Sequence, residues 1–297
     1  MKQLAIVFFS LLLAACSADR QGRERTSFNN DWLFSLTDNQ ADLSAPDADD
    51  TGWRQLNLPH DWSIEADFSK ENPATPGGGA LPGGMGWYRK HFKIPESDRG
   101  KQVYIDFDGV YRCSKVWLNG HLLGFRPNGY ISFRYDMTPY LKYGQEENVL
   151  VVQADNSQQP NSRWYSGSGI YRNVWLVKTG QVHVDQYGTN ITTPDVAQER
   201  ATVVIETTLK NTYAAAVTAE LMTIIKAPSG KVIAQTSLPV ELPENGSDII
   251  KQTLEVKAPE LWGIKNPALY TAVTEVRSGN QLTDRYETTF GIRTFRW

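Results

Sequence analysis

Cysteine is almost absent: the 297 residues carry only Cys16 and Cys113. That scarcity excludes a disulfide framework, so any fold must rest on the size of its core. Basic runs are absent as well, and the formal net charge is −3. This balance excludes nucleic acid as the main partner and membrane attraction through a polybasic patch. Helical periodicity is nearly missing, and no apolar stretch reaches the roughly 20 residues that a membrane-spanning helix needs. The Pro- and Gly-rich segment Asn72–Gly86 has no Gly-Lys-Ser/Thr after it and no strand-to-helix setting, which excludes a phosphate cradle.

Aromatic residues are plentiful, with nine Trp and thirteen Tyr, and the hydrophobic fraction of 40% is ample for real cores. The length exceeds one average domain, so two are expected.

The N-terminus stands apart from the fold. Lys2 precedes an apolar run from Leu4 to Ala15 that suits a signal-peptide core. The run closes on Leu13-Ala14-Ala15-Cys16, which resembles a bacterial lipobox, with Cys16 lipidated as the first mature residue. An ordinary cleaved signal is the alternative. Cleavage removes the single charge of Lys2, so the mature chain stands at −4. Cys113 then has no partner and reads as a small buried filler of the strand-like run Tyr111–Leu118 rather than as a reactive thiol.

Short alternating segments fill the next part of the chain: Trp32–Leu36, Trp53–Leu58, Trp87–Ile94, Lys101–Phe107, Ser114–Leu118, Tyr130–Tyr135 and Val149–Ala154. Gly, Pro and Asn punctuate them, which predicts a sandwich or barrel. Asn119-Gly120 between two apolar runs predicts a type I′ hairpin. Near Gly180 the aromatics thin out. Val/Ile/Thr-rich strands follow at Ala201–Leu209, Val217–Lys226, Val232–Leu238, Ile249–Val256, Leu269–Val276 and Gln281–Phe290. About seven strands over roughly 110 residues fit an immunoglobulin-like sandwich, with Trp262, Pro267 and Tyr270 anchoring one end.

The densest chemistry lies in Asn161-Ser-Arg-Trp-Tyr-Ser-Gly-Ser-Gly-Ile-Tyr-Arg-Asn-Val-Trp175. Flat aromatic faces beside amide and guanidinium donors suit a sugar, which offers apolar C–H faces and hydroxyl groups. A packed turn of a sandwich is the competing reading. Other pairs are weaker. Asp106 and Asp108 share a strand face and read as a solvated face or a structural cation site; His183 and Asp185 share a face likewise, but two ligands do not make a metal site. Ser166-Gly-Ser-Gly169 lacks the nucleophile-elbow spacing. His60-Asp61 has no accompanying nucleophile, so His60 reads as structural.

In combination these residues resemble glycoside hydrolase family 2. Leu58-Pro-His-Asp-Trp-Ser-Ile-Glu65, Gly86-Trp-Tyr-Arg-Lys-His-Phe92, Val116–Gly124, Gly129–Phe133 before Asp136, and the Asn161–Trp175 loop match its sugar-binding domain. Leu261-Trp262, Pro267-Ala-Leu-Tyr270 and Phe290-Gly-Ile-Arg293 match its immunoglobulin-like domain. The His60–Glu65 and Asn161–Arg172 forms look most like β-galactosidases of Bacteroides-type bacteria.

The resemblance implies an all-β chain: a galactose-binding-like jelly-roll sandwich followed by an immunoglobulin-like β-sandwich. The expected divisions are a signal peptide with lipobox over 1–16, a linker over 17–26, the sugar-binding domain over 27–180, the second sandwich over 181–291, and a strand or linker start over 292–297. It also implies retaining hydrolysis by two glutamates, whose carboxyls stand about 5–5.5 Å apart. In the family both belong to a barrel of about 250 residues. Six residues follow Gly291, so a truncated gene or cut sequence is expected, with no catalytic residue, metal or cofactor in this chain. The intact enzyme leaves room for a cation at the active site and for oligomers.

Sugar contacts fall, by the same resemblance, to Asn161, Arg163 and Trp164, with Asn72–Gly84 as a second wall of the pocket. Several family members carry an acidic residue near Asn161–Arg163, and this chain has none there. Arg172 is expected to be structural. The implied partner is a β-galactoside-containing glycan, and the membrane is met through the lipid anchor alone, on an exported protein held in the periplasm or at the outer membrane. Two alternatives are a stand-alone carbohydrate-binding or adhesion lipoprotein and part of a β-glucuronidase or β-mannosidase.

Overall fold

The computed structural model describes residues 22–37 and 43–294; Cys16 lies outside them. The chain is all-β. Its first half contributes β1 (Glu24–Ser27), β2 (Trp32–Leu36), β3 (Arg54–Leu56), β4 (Gly84–Phe92) and β5 (Gln102–Phe107). These are followed by β6 (Ser114–Leu118), β7 (His121–Arg126), β8 (Phe133–Asp136), β9 (Asn148–Asn156) and β10 (Val174–Thr179). A six-stranded sheet in the order β3-β2-β4-β9-β6-β7 faces a four-stranded one, β1-β10-β5-β8. Trp32, Phe34, Tyr88, Phe107, Leu150 and Val152 belong to the core that the two sheets enclose.

The other face of the six-stranded sheet is also covered. Arg89 on β4 is fully buried and donates to the carbonyls of Leu43, Ala45 and Ala48 at 2.6–3.0 Å. One guanidinium thereby pins a whole loop over Trp87, Val149 and Val151. Asn119 and Gly120 adopt φ of 51° and 84°, the left-handed pair of a type I′ turn, and join β6 to β7. Cys113 departs from expectation. It is half-buried, at φ 45° in a bend before β6, where the chain is turning rather than extended.

The second half holds β11 (Val182–Val196), β12 (Arg200–Asn211), β13 (Val217–Lys226), β14 (Val232–Leu242), β15 (Ser247–Lys257), β16 (Tyr270–Ser278) and β17 (Gln281–Phe290). Sheets β11-β12-β15 and β14-β13-β16-β17 form this sandwich. Along β12 burial alternates residue by residue, as an apolar-in, polar-out strand requires. Two apolar clusters make its core, one including Ile205, Ile225 and Tyr270 and the other including Val184, Leu209 and Leu221. The core also buries polar side chains, among them Thr223, whose hydroxyl donates to Gln252 at 2.6 Å.

The sandwiches meet without a flexible linker. Gly180 donates to the Thr283 carbonyl at 2.8 Å, and a Cβ on Gly180 would stand 2.8 Å from Thr283. Arg23, one residue before β1, forks onto Asp284 of β17 with both contacts at 2.9 Å, and Asp284 is fully buried. His183 is buried beside it. Its Nδ1 stands 3.1 Å from the Gly180 carbonyl and its Nε2 3.1 Å from the Tyr104 hydroxyl. A neutral ring satisfies both contacts: Nδ1–H donates, and Nε2 accepts from the phenol. Burial, with Arg23 nearby, lowers its pKa to about 3.

Candidate functional site

Asp61 organises the loops at one end of the first sandwich. Its Oδ1 accepts from the backbone N–H of Ser63 at 3.0 Å and of Ser168 at 2.9 Å, and its Oδ2 accepts from the Tyr165 hydroxyl. Burial, followed by that bond to a carboxylate, raises the Tyr165 pKa far above the ordinary phenol value. Below this contact, Ser168 is fully buried and accepts from Ser63 at 2.6 Å and from Asn156 at 2.8 Å. Gly169 lies at φ 114°, where a Cβ would stand 2.1 Å from the Tyr88 hydroxyl, so only glycine fits.

His60 and Tyr88 form the floor. Arg54, a donor, stands 3.0 Å from His60 Nε2, and the Glu65 carboxylate, an acceptor, 3.3 Å from the same nitrogen. The shorter contact is met when Nε2 accepts from Arg54 and Nδ1–H points to the Tyr88 hydroxyl at 2.8 Å. Burial outweighs the pull of Glu65 and lowers the His60 pKa, so the ring is neutral near pH 7. This is the structural role expected from the sequence.

The three residues singled out in the loop have different situations. Asn161 is engaged on all sides. Its amide donates to Asn156 Oδ1 at 2.6 Å and to the Gln158 carbonyl at 3.1 Å, while its oxygen accepts from Tyr111 at 3.1 Å. Trp164 is 60% exposed, and its indole N–H donates to the Tyr130 hydroxyl at 3.1 Å. Burial opposes ionisation of the Tyr130 phenol, yet bonds with Trp164, Ser166 and Tyr111 outweigh it and lower its pKa. Arg163 is exposed and makes no hydrogen bond or ion pair with any described residue.

Asn72–Gly84 folds against this loop. Gly79 sits where a Cβ would be 3.1 Å from the Tyr165 ring, and Ala74, Gly78, Leu81 and Pro82 line a crevice opposite Asn161 and Trp164. The crevice's free volume is about 10 Å³, room for one water and not for a sugar ring. The rings of Trp164, Tyr165 and Tyr130 present their exposed faces outside this crevice. Among the described residues, no Asp or Glu lines the crevice.

Elsewhere the weaker pairs resolve into ion pairs and packing. Asp106 is buried and forked by Arg134 at 2.6 and 2.8 Å, rather than lying on a solvated strand face. Asp108 accepts from the Trp175 indole at 2.9 Å. Among the described residues no three His, Cys, Asp or Glu come together to hold a metal. Arg172 is exposed and lies over the Tyr171 ring at 5.7 Å. Sequence reasoning missed Asp61 and Asn156. Asp61 stands two residues before Ser63, the spacing of an Asx turn, but nothing local points from it to Ser168.

Residues 26–180 match the model for glycosyl hydrolases family 2, sugar binding domain, and residues 182–293 match the model for glycosyl hydrolases family 2. A β-galactosidase of Bacteroides ovatus, BoGH2A, is 50% identical over 285 residues, which cover 95% of this chain and 33% of that protein. A putative β-glucuronidase of Formosa agariphila is 41% identical over 97% of this chain and 27% of its own length. The crystal structure of a glycosyl hydrolase family 2 member from Bacteroides cellulosilyticus superposes with a TM-score of 0.86 at 36% identity, covering 91% of this chain and 35% of that one. The chain thus spans about a third of the length of these relatives.

Proposed function

The chain belongs to glycosyl hydrolases family 2, and from that premise we propose that it is the non-catalytic, substrate-facing part of an exo-acting β-glycosidase that removes terminal β-galactosides with retention. The observation that carries the reading is the outward face of Trp164, Tyr165 and Tyr130 beside the unpaired Arg163, held from behind by Asp61. Aromatic faces stack on the C–H face of a sugar, and the guanidinium offers hydrogen bonds to its hydroxyls. The loop supplies one wall. Retaining chemistry needs two carboxyls about 5–5.5 Å apart, and they would face this wall from outside the two sandwiches. The galactoside is preferred because the β-galactosidase relative is 50% identical and the putative β-glucuronidase 41%. A β-glucuronide is the second reading, favoured by Arg163, whose free charge would suit a uronate carboxylate.

The purified chain should release no nitrophenol from 4-nitrophenyl β-galactoside or β-glucuronide. Turnover abolished by substituting a residue of this chain would sink the reading. A downstream coding sequence for a barrel with two glutamates would support it, whereas its absence would favour a stand-alone carbohydrate-binding lipoprotein. Lipidation at Cys16, and with it export to the periplasm or outer membrane, belongs to the same proposal. It rests on the lipobox-like Leu13–Cys16. Incorporation of labelled palmitate should disappear in Cys16→Ala.

A further inference from the structure

Between the two sandwiches, away from the Trp164 loop, lies a cleft of about 290 Å³. That is close to the lower limit for small-molecule sites and enough for one sugar ring. Its walls are densely charged, but nearly every charge is already matched. Arg134 is forked by Asp106, Arg23 by Asp284, and Arg285 lies 3.0 Å from Glu275 and 3.3 Å from Glu287.

Arg25 is the most loosely paired of these charges. Its guanidinium lies 3.7 Å from the centre of the Trp175 ring and is 47% exposed, and its ion pair with Asp108 Oδ1, at 3.9 Å, is longer than those of Arg134, Arg23 and Arg285. The Trp175 indole N–H goes to the other carboxylate oxygen of Asp108, Oδ2. A guanidinium over a ring, held by one long ion pair, keeps most of its in-plane N–H groups available, the arrangement that suits a bidentate oxyanion.

Tyr187 faces the same cleft from the second sandwich. It lies at φ 53° within the register shift between Val184 and Thr189 on β11 and is 70% exposed. A bulky residue in left-handed conformation is an outlier. Tyr187 makes no hydrogen bond or ring contact with any described residue, so its own packing does not repay the strain. The next residue, Gly188, could not carry a Cβ without coming within 2.9 Å of the Asp185 carbonyl. Bulges of this kind re-aim a side chain, and here they aim an aromatic ring at a cleft that also holds Gln186 and Arg25.

We propose that this cleft binds an anionic sugar residue, with Arg25 taking its carboxylate or sulfate group, Tyr187 its ring face and Gln186 a hydroxyl. The choice of a sugar over another small anion rests on the family reading above; the oxyanion rests on Arg25 alone. The site would capture acidic residues of a glycan at a point separate from the Trp164 face.

Calorimetric titration of the purified chain with glucuronic acid, galactose 6-sulfate, galactose and sodium sulfate tests the idea, and the first two probes separate the sources of the oxyanion. Binding of at least one charged sugar is expected, with galactose at least tenfold weaker. Titrated in a Trp164→Ala background, which removes the loop face, Arg25→Gln and Tyr187→Ala should each weaken it at least tenfold, and Arg25→Lys should restore only part of it. Thermal melts establish that each variant is folded. The proposal is overturned if neither charged sugar binds, if galactose binds equally well, or if Arg25→Gln and Tyr187→Ala bind like the parent. Sodium sulfate binding as tightly as galactose 6-sulfate, with no effect of Tyr187→Ala, would mean an adventitious ion only and would overturn it too. Loss of binding in Trp164→Ala would place the sugar on the loop face instead, against this cleft but not against the proposed function.

Discussion

In the first sandwich the chain between β3 and β4 runs over residues 57–83, and that between β9 and β10 over 157–173. In the second, consecutive strands are joined by two to five residues except across 258–269. The difference is more than length. The long loops of the first sandwich are held by side chains such as Asp61, Asn156 and Ser168, each bonded to loop backbone or loop side chains. The second is held by strand alternation, and its polar residues Thr223 and Gln252 are turned inward to each other. One half spends polar side chains on shaping a surface, the other on filling a core. Exposed aromatics accordingly cluster on the loops of the first, where Trp164, Tyr165 and Tyr130 are 40–60% exposed.

The comparison can be broken most strongly at the junction. Arg23→Ala leaves the fully buried Asp284 without its ion partner, which should cost about 3–5 kcal/mol. Urea titration followed by tryptophan fluorescence should show the loss, together with separate transitions for the two sandwiches. A single unshifted transition would mean that the junction contributes nothing to their coupling.

Acid should act at the same place. His183 titrates at about 3 in the folded chain and about 6.5 when unfolded. Between these values the unfolded state binds the extra proton, so this residue's contribution to stability is intact above pH 6.5 and is lost as pH falls toward 3. The slope is at most about 1.4 kcal/mol per pH unit. His183→Asn should flatten it in urea melts at pH 5 and pH 7, and equal slopes would refute the assignment. His91 has the opposite sign. Burial lowers its pKa, but bonds to Asp50 and Glu147 outweigh this and raise it, so its contribution is present at low pH and fades as pH rises.

The smallest effect on stability is expected at the surface. Trp164→Ala should change the melting free energy by no more than about 0.5 kcal/mol, because the ring is mostly exposed. A larger loss in a denaturant melt would make Trp164 part of the loop's scaffold and blur the contrast between surface and core.

Much of the architecture was legible from local pattern. The runs Val217–Lys226 and Gln281–Phe290 were readable to the residue as β13 and β17, and Asn119-Gly120 announced its turn. Expected Trp53–Leu58 shrinks to Arg54–Leu56, since the chain turns at Pro59. The fifteen residues of β11 escaped notice because two register shifts break their alternation. The loop's importance was legible in its composition; its internal wiring was not. Asn161 looked like a free donor, yet its amide is used up inside the loop.

What the sequence determined by itself is whatever has a period of two or a residue with a forced backbone: the strands, the hairpin and the glycines that let loops pass close to rings. Tertiary structure alone decided the pairings across long separations. Asp61 meets Ser168 across 107 positions, and Arg23 meets Asp284 across 261. Such partners are selected by two sheets closing on each other, and no local propensity encodes which carboxylate will be buried beside which donor.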